Sequence, residues 1–164
     1  MKADYVTRAT RFAESFIQLF DEHKRYRYPS DFIKVIKKYE ETHKRHLKYD
    51  NGASRFVIIR SDYVIKINRD YDGWAGDNST EVEKYNEAVK AGFDYLLAKP
   101  TPIKIGRFNI IIMPRIKYIG SNRRWYKYCT DEEQNWISRN IDDLHSYNYG
   151  FCNGKLCIID YAMI

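Results

Sequence analysis

At 164 residues, 44% hydrophobic and 30% charged, the chain has the length and apolar content for one domain that buries a core without disulfides. No stretch approaches the ~20 consecutive apolar residues of a membrane-spanning helix. Asp4 and Arg8 interrupt the apolar residues of the N-terminus, so neither a membrane partner nor a signal peptide is expected. The net charge of +6 and a pI near 9.1 suit polyanionic partners, nucleotide phosphates and nucleic acid included. Three cysteines, Cys129, Cys152 and Cys157, are an odd, low count that fits a reducing compartment, so the expected location is cytoplasmic.

Positive charge gathers in residues 23–48 and 115–127. Asp31, Glu40 and Glu41 break the first stretch, which therefore reads more simply as a solvated helix face than as a nucleic-acid surface. Apolar residues Ala9, Phe12, Phe16, Ile17 and Phe20 recur at helical spacing and predict an amphipathic helix over 4–22. Pro29 breaks the chain, Ser30 is a candidate cap, and Phe32, Ile33, Ile36 and Tyr39 predict a second helix over 31–45. The β-branched runs RFVIIR at 55–60 and YVIKIN at 63–68 predict a hairpin, with a strand at 46–50 before it. A polar loop at 69–79 leads to a helix over 80–92, where Thr80 and Glu83 match a capping box. Strands follow at 102–105 and 109–113. A second capping box, Thr130 with Glu133, opens a helix toward Asp142, and a hairpin closes around Asn153-Gly154. The expected class is α+β, without the glycine-rich strand-to-helix turn of a Rossmann or P-loop site.

The segment most informative about chemistry runs from Asp143 through Asn148 to Asp160. A helix delivers Asp143 to a loop, Asn148 follows, and the hairpin returns the chain to Asp160. Three oxygen-bearing side chains can then converge, a donor set that suits Mg²⁺ shared with phosphates and water. Asp143-Leu-His with Asn148, followed by Ile158-Ile159-Asp160-Tyr161, resembles the catalytic and metal-binding loops of the protein-kinase-like superfamily. Within it, the likeness is to aminoglycoside-phosphotransferase-style enzymes and to small kinase-like proteins of bacteria and phages. The resemblance implies a minimal kinase-like fold at 48–164, with an antiparallel-sheet N-lobe at 46–113 and a reduced C-lobe at 114–164, preceded by a helical extension at 1–47. It implies Asp143 as the catalytic residue at the acceptor hydroxyl, and Asn148 and Asp160 as Mg²⁺ ligands.

Upstream, Val64-Ile65-Lys66 resembles the strand lysine that contacts the nucleotide phosphates. Of the two candidate partners on the following helix, Glu83 falls in the capping box, whereas Glu81 lies beside the stripe of Val82, Tyr85, Ala88 and Val89; Glu81 is the choice. Gly52 and Ser54 occupy the place of the glycine-rich loop, and Met113 that of the strand leading to the adenine. Four things depart from the pattern, the first being Ile141-Asp142 where His-Arg commonly precedes the catalytic Asp. The loop keeps one glycine, Asp160-Tyr161-Ala162 replaces Asp-Phe-Gly, and the chain ends four residues past Asp160.

The resemblance thus implies an ATP- and Mg-dependent phosphotransferase acting on a hydroxyl, with a protein as partner or substrate. A second reading is a non-catalytic pseudokinase-type protein or small viral effector that regulates a partner in the host cytoplasm. A third is a basic nucleic-acid-binding protein, for which Arg123, Arg124 and Lys127 around Trp125 and Tyr126 are the candidate patch. His43 and His46 lack a third metal ligand nearby, and Cys152 and Cys157 read as strand residues of the hairpin.

Overall fold

In a computed structural model, residues 2–52, 54–70, 77–117, 124–142, 144 and 147–160 are described. The elements are α1 (Lys2–Ile17), α2 (Pro29–His43), β1 (Lys48–Asn51), β2 (Arg55–Ile59), β3 (Tyr63–Asn68), α3 (Asp77–Ala91), β4 (Thr101–Ile105), β5 (Phe108–Pro114), α4 (Asp131–Asn140), β6 (Tyr149–Cys152) and β7 (Lys155–Ile158). Short 3-10 helices lie at Asp94–Leu96 and Trp125–Tyr128. The class is α+β, as expected. Packing divides the chain into two compact units: Met1–Asn78 with Thr101–Arg115, and Ser79–Pro100 with Ile116–Ile164.

In the first unit the strands pair antiparallel throughout, in the order β1-β2-β3-β5-β4. Successive side chains of a strand point to opposite faces, so the register sorts the sheet into two surfaces. Phe56 and Ile58 of β2, Tyr63, Ile65 and Ile67 of β3, and Phe108, Ile110 and Ile112 of β5 share one face. That face forms a single core with Ala9, Ala13 and Phe16 of α1 and Phe32, Val35, Ile36 and Tyr39 of α2. Rings dominate it: Phe16 lies 5.9 Å from Phe12, 5.5 Å from Phe20 and 6.0 Å from Tyr39, and Phe32 stacks on Phe56 at 4.5 Å. Residues 1–47, set apart by the sequence as an extension, therefore pack as the cover of the sheet rather than as a separate module.

Helix starts differ from the expected ones. Ser30 does not cap α2. Pro29 takes the first helical position, where its missing N–H is no loss. The Asp31 carboxylate accepts the Tyr28 N–H at 3.4 Å. Thr80 and Glu83 do not open α3 either, because the helix begins at Asp77 and both lie inside it. The Thr130 cap is as expected: its hydroxyl accepts the Glu133 N–H at 3.2 Å, and Glu133 accepts the Thr130 N–H at 2.7 Å.

In the second unit the β6–β7 hairpin turns through Asn153 and Gly154, at φ 51° and 78°, the left-handed pair an Asn-Gly turn favours. Ala98 N–H donates to Ile158 O at 2.8 Å, so the segment before β4 lines up beside β7. Gly150 admits no side chain: a Cβ there would lie 2.1 Å from Lys117 O.

Two outcomes follow from the shared core. Phe16→Ala removes a ring with no exposed surface, and should destabilise the protein by about 3–5 kcal/mol in urea titrations. A chain lacking residues 1–46 should show no cooperative unfolding, because one sheet face would then meet water. A further outcome concerns acid. The Lys24 ammonium, 2.8 Å from Asp31, holds the Asp31 carboxyl below its usual value. A lowered folded-state value means this stabilisation is present above the unfolded carboxylate range and lost as pH falls through the folded one. Wild type should therefore melt above Asp31→Asn at pH 6, and the gap should close as the pH is lowered below about 4.

Candidate functional site

The sheet face opposite α1 and α2 carries the chemistry-bearing side chains. Alternation places Arg55, Val57 and Ile59 of β2 there, with Val64, Lys66 and Asn68 of β3 and Asn109, Ile111 and Met113 of β5. The register arranges them in rows. Val57, Lys66 and Ile111 form one row; Ile59, Val64 and Met113 form the next. Lys66 is thus a cation set among aliphatic side chains, with 5% of its surface exposed. An ionised group in such surroundings is costly unless it is paired and hydrogen-bonded.

The start of α3 docks on this face. Asn78, 2% exposed, donates from Nδ2 to Lys66 O and to Asn109 O, at 2.9 Å each. Its backbone N–H reaches Asn68 Oδ1 at 3.3 Å. The buried Arg55 guanidinium donates to Asn78 Oδ1 at 3.5 Å, with its Nε 3.8 Å from the Asp77 carboxylate. Asn78 therefore fastens the first turn of α3 to β3 at the lysine and to β5 beside it. Three residues on, on the same helix face, comes Glu81. Glu81 has no exposed surface, whereas Glu83 points to water. Sequence reading missed Asn78, Asp77 and Arg55. The available signal was two short polar residues, Asp77-Asn78, at the loop-to-helix junction, of the kind that favours helix starts.

The turn between β1 and β2 is held from the end of β3. The Arg69 guanidinium donates to Gly52 O, and Arg69 N–H donates to Ser54 O at 3.1 Å. Both residues assigned to a phosphate loop thus sit in a turn that a nearby cation braces. Met113 is buried on β5, opposite Val64.

In the second unit the hairpin brings two of the three carboxyl-segment residues together. Ile159 N–H donates to Asn148 O at 2.8 Å, extending the β6–β7 pairing by one step, so Asn148 stands across from the residue preceding Asp160. Asn148 is buried and Asp160 half-buried. Both side chains carry oxygen donors of the kind Mg²⁺ takes, and the pairing sets Asn148 opposite Ile159, one position before Asp160. Asp143 lies outside the described residues.

No family model, curated protein or solved structure matches this chain.

Other candidates have local partners. His43 Nδ1 lies 3.0 Å from Tyr39 O and its ring stacks on Tyr39; His46 Nδ1 lies 2.7 Å from Glu40. The two imidazoles are engaged separately. Cys157 is buried, its thiol pushed up to about 12 by burial, while Cys152 is exposed at the hairpin end. Around Trp125, Arg124 donates to the Tyr126 hydroxyl at 2.8 Å. Gln134 bonds Tyr126 O at 2.9 Å, so the acidic first turn of α4, Asp131, Glu132 and Glu133, adjoins the basic residues. Arg123 lies outside the described residues. Among those described, no helix is long and apolar enough to cross a membrane.

Asn78→Ala should cost about 1–3 kcal/mol in urea titrations, because it strips a donor from the buried Lys66 carbonyl, another from the Asn109 carbonyl and an acceptor from Arg55. Asn78→Asp, close in shape but unable to donate when ionised, should cost at least as much. A loss below 0.5 kcal/mol for both, roughly the scatter of surface substitutions, would mean the junction is held by other contacts.

Proposed function

We propose that the chain is an ATP- and Mg-dependent phosphotransferase of minimal kinase-like design. The observation that carries the reading is the lysine of β3. It is buried on the sheet face opposite the helical cover, and its own carbonyl accepts from Asn78 in the first turn of α3, the helix that also carries the fully buried Glu81. A strand lysine and a helix glutamate in this order are what phosphate positioning in protein kinases uses. An antiparallel sheet interrupted by one helix between β3 and β4, and a hairpin with Asn148 before it and Asp160 after it, support the same reading.

In this reading Lys66 holds the α- and β-phosphates and Glu81 orients the lysine. The half-buried aliphatic residues Ile59 and Val64 and the buried Met113 offer the base an apolar surface. Asn148 and Asp160 hold Mg²⁺, which when bound neutralises charge on the phosphates. Asp143 accepts the proton of the acceptor hydroxyl. The acceptor is a hydroxyl, with a protein as its proposed carrier.

A second reading, a non-catalytic protein that uses the same scaffold to bind a partner, is favoured by one feature. The stretch between β1 and β2 keeps a single glycine, Gly52, where a phosphate-cradling loop uses several to bring its backbone N–H groups close.

Thermal shift with Mg-ATP and transfer of label from the γ-phosphate test both. At a hundred times its dissociation constant the nucleotide should add about 2.7 kcal/mol of stability. Lys66→Ala and Asp160→Asn should lose most of that gain. Asp143→Asn should keep it and lower label transfer by about 100-fold. Nucleotide binding without transfer to any protein or small-molecule acceptor would select the second reading. The absence of any shift at millimolar Mg-ATP would remove the phosphotransferase and favour the second reading.

A further inference from the structure

The chain's excess of positive charge lies in one stretch. Residues 23–48 hold nine of its 28 lysines and arginines and three of its 22 acidic residues, so the rest of the chain is balanced at nineteen of each. In the sequence Asp31, Glu40 and Glu41 interrupt this stretch; in the fold two of the three leave the surface. Asp31 is buried, 2.8 Å from the Lys24 ammonium. Glu40 is half-buried, where it accepts the Leu47 N–H at 2.7 Å and lies 2.7 Å from His46 Nδ1. Glu41 alone of the three is exposed. The cations take the opposite course. Phe32, Val35, Ile36 and Tyr39 turn inward to the core, which leaves Lys34, Lys37 and Lys38 on the outer face of α2, and Lys44 and Arg45 are exposed just past its end. Lys34, Lys37 and Lys38 stand at positions i, i+3 and i+4, neighbours on one helix surface. Burial has thus sorted charges that the sequence mixes.

We propose that this outer face of α2, with the turn after it, binds the phosphate backbone of duplex nucleic acid without reading its bases. Charge complementarity carries the choice. Five exposed cations against one carboxylate meet a dense, regular array of negative charge, one per about 1.7 Å of duplex axis. Bases are left unread because nothing here stacks on them. Tyr39 is the one Phe, Tyr or Trp between Lys34 and Lys48, and it is buried. A membrane is a poorer fit. An interfacial helix inserts its apolar face among lipids, and the apolar face of α2 is committed to the core. The patch around Trp125 is a poorer fit too, because the acidic first turn of α4 adjoins its cations. The basic face belongs to the helical cover, on the opposite side of the sheet from Lys66, and stands independently of the nucleotide reading.

The test is fluorescence anisotropy of a labelled duplex titrated with the full chain at several salt concentrations. Each phosphate neutralised contributes about −0.9 to the slope of log Kobs against log salt, so five contacts should give a slope of about −4 to −5. Two duplexes of unrelated sequence should bind alike. Lys37→Gln with Lys38→Gln, both at exposed positions, should keep Tm, weaken binding by about tenfold or more and make the slope shallower by about 2. Glu41→Gln should strengthen binding, and Arg124→Gln with Lys127→Gln should leave both affinity and slope as they were. No binding at about 50 mM salt, a slope indifferent to the Lys37 and Lys38 changes, or loss of binding in the Arg124 and Lys127 variant instead would overturn the proposal. Equal or tighter binding to polyglutamate would replace nucleic acid with an acidic protein, and tighter binding to phosphatidylserine vesicles would replace it with a membrane.

Discussion

Asn78 donates both protons of its carboxamide, one to Lys66 O and one to Asn109 O, and with them fixes where α3 leaves the sheet. Buried donors and acceptors tolerate no half-measures: a satisfied network is rigid, whereas one missing partner costs the desolvation of the other. Arg55 and Asp77 complete the arrangement around the same residue. Its effect is one of register. The first turn of α3 is thereby bonded to two strands at once, β3 through Lys66 O and β5 through Asn109 O.

The two faces of the five-stranded sheet do different work because a strand alternates its side chains. One face is a dry aromatic and aliphatic core covered by α1 and α2. The other mixes aliphatic residues with Arg55, Lys66, Asn68 and Asn109. Stability and chemistry are thereby separated residue by residue along the same strand. Ile65 and Ile67 belong to the core, and Lys66 between them does not. The helical cover is what makes this affordable: with one face buried against thirty-odd N-terminal residues of helix, the opposite face can hold polar groups without unfolding the sheet.

Charge is likewise distributed by position rather than by total. The basic stretch at 23–48 is punctuated where it packs, with Lys24 paired to Asp31 and His46 to Glu40. The basic residues near Trp125 adjoin the acidic first turn of α4. A net charge of +6 is therefore not spread evenly over the surface. It is the excess left on the outer face of α2 and the turn after it once these local pairs are counted.

Much of the secondary structure was legible in the sequence, because period 2 and period 3.6 are properties of neighbouring residues. The 55–68 hairpin, both N-terminal helices, the Thr130 capping box and the Asn153-Gly154 turn depend on contacts a few residues apart, and they stand where local rules put them. The choice of Glu81 over Glu83 as the inward residue was also readable from its place beside the apolar stripe. Helix starts were not, since the Thr80–Glu83 pair fits a cap by pattern while Asn78 wins the position through bonds to residues 66 and 109. Nor was the role of α1 and α2, whose apolar faces could have covered anything until the sheet offered one matching surface. The approach of Asn148 to the chain beside Asp160 required the hairpin to close. A cavity lined by Glu14 and by residues 105–108 joins positions more than ninety apart in the chain. Local propensity determines elements; which polar groups become neighbours is decided only when nonlocal burial chooses among the ways those elements can pack.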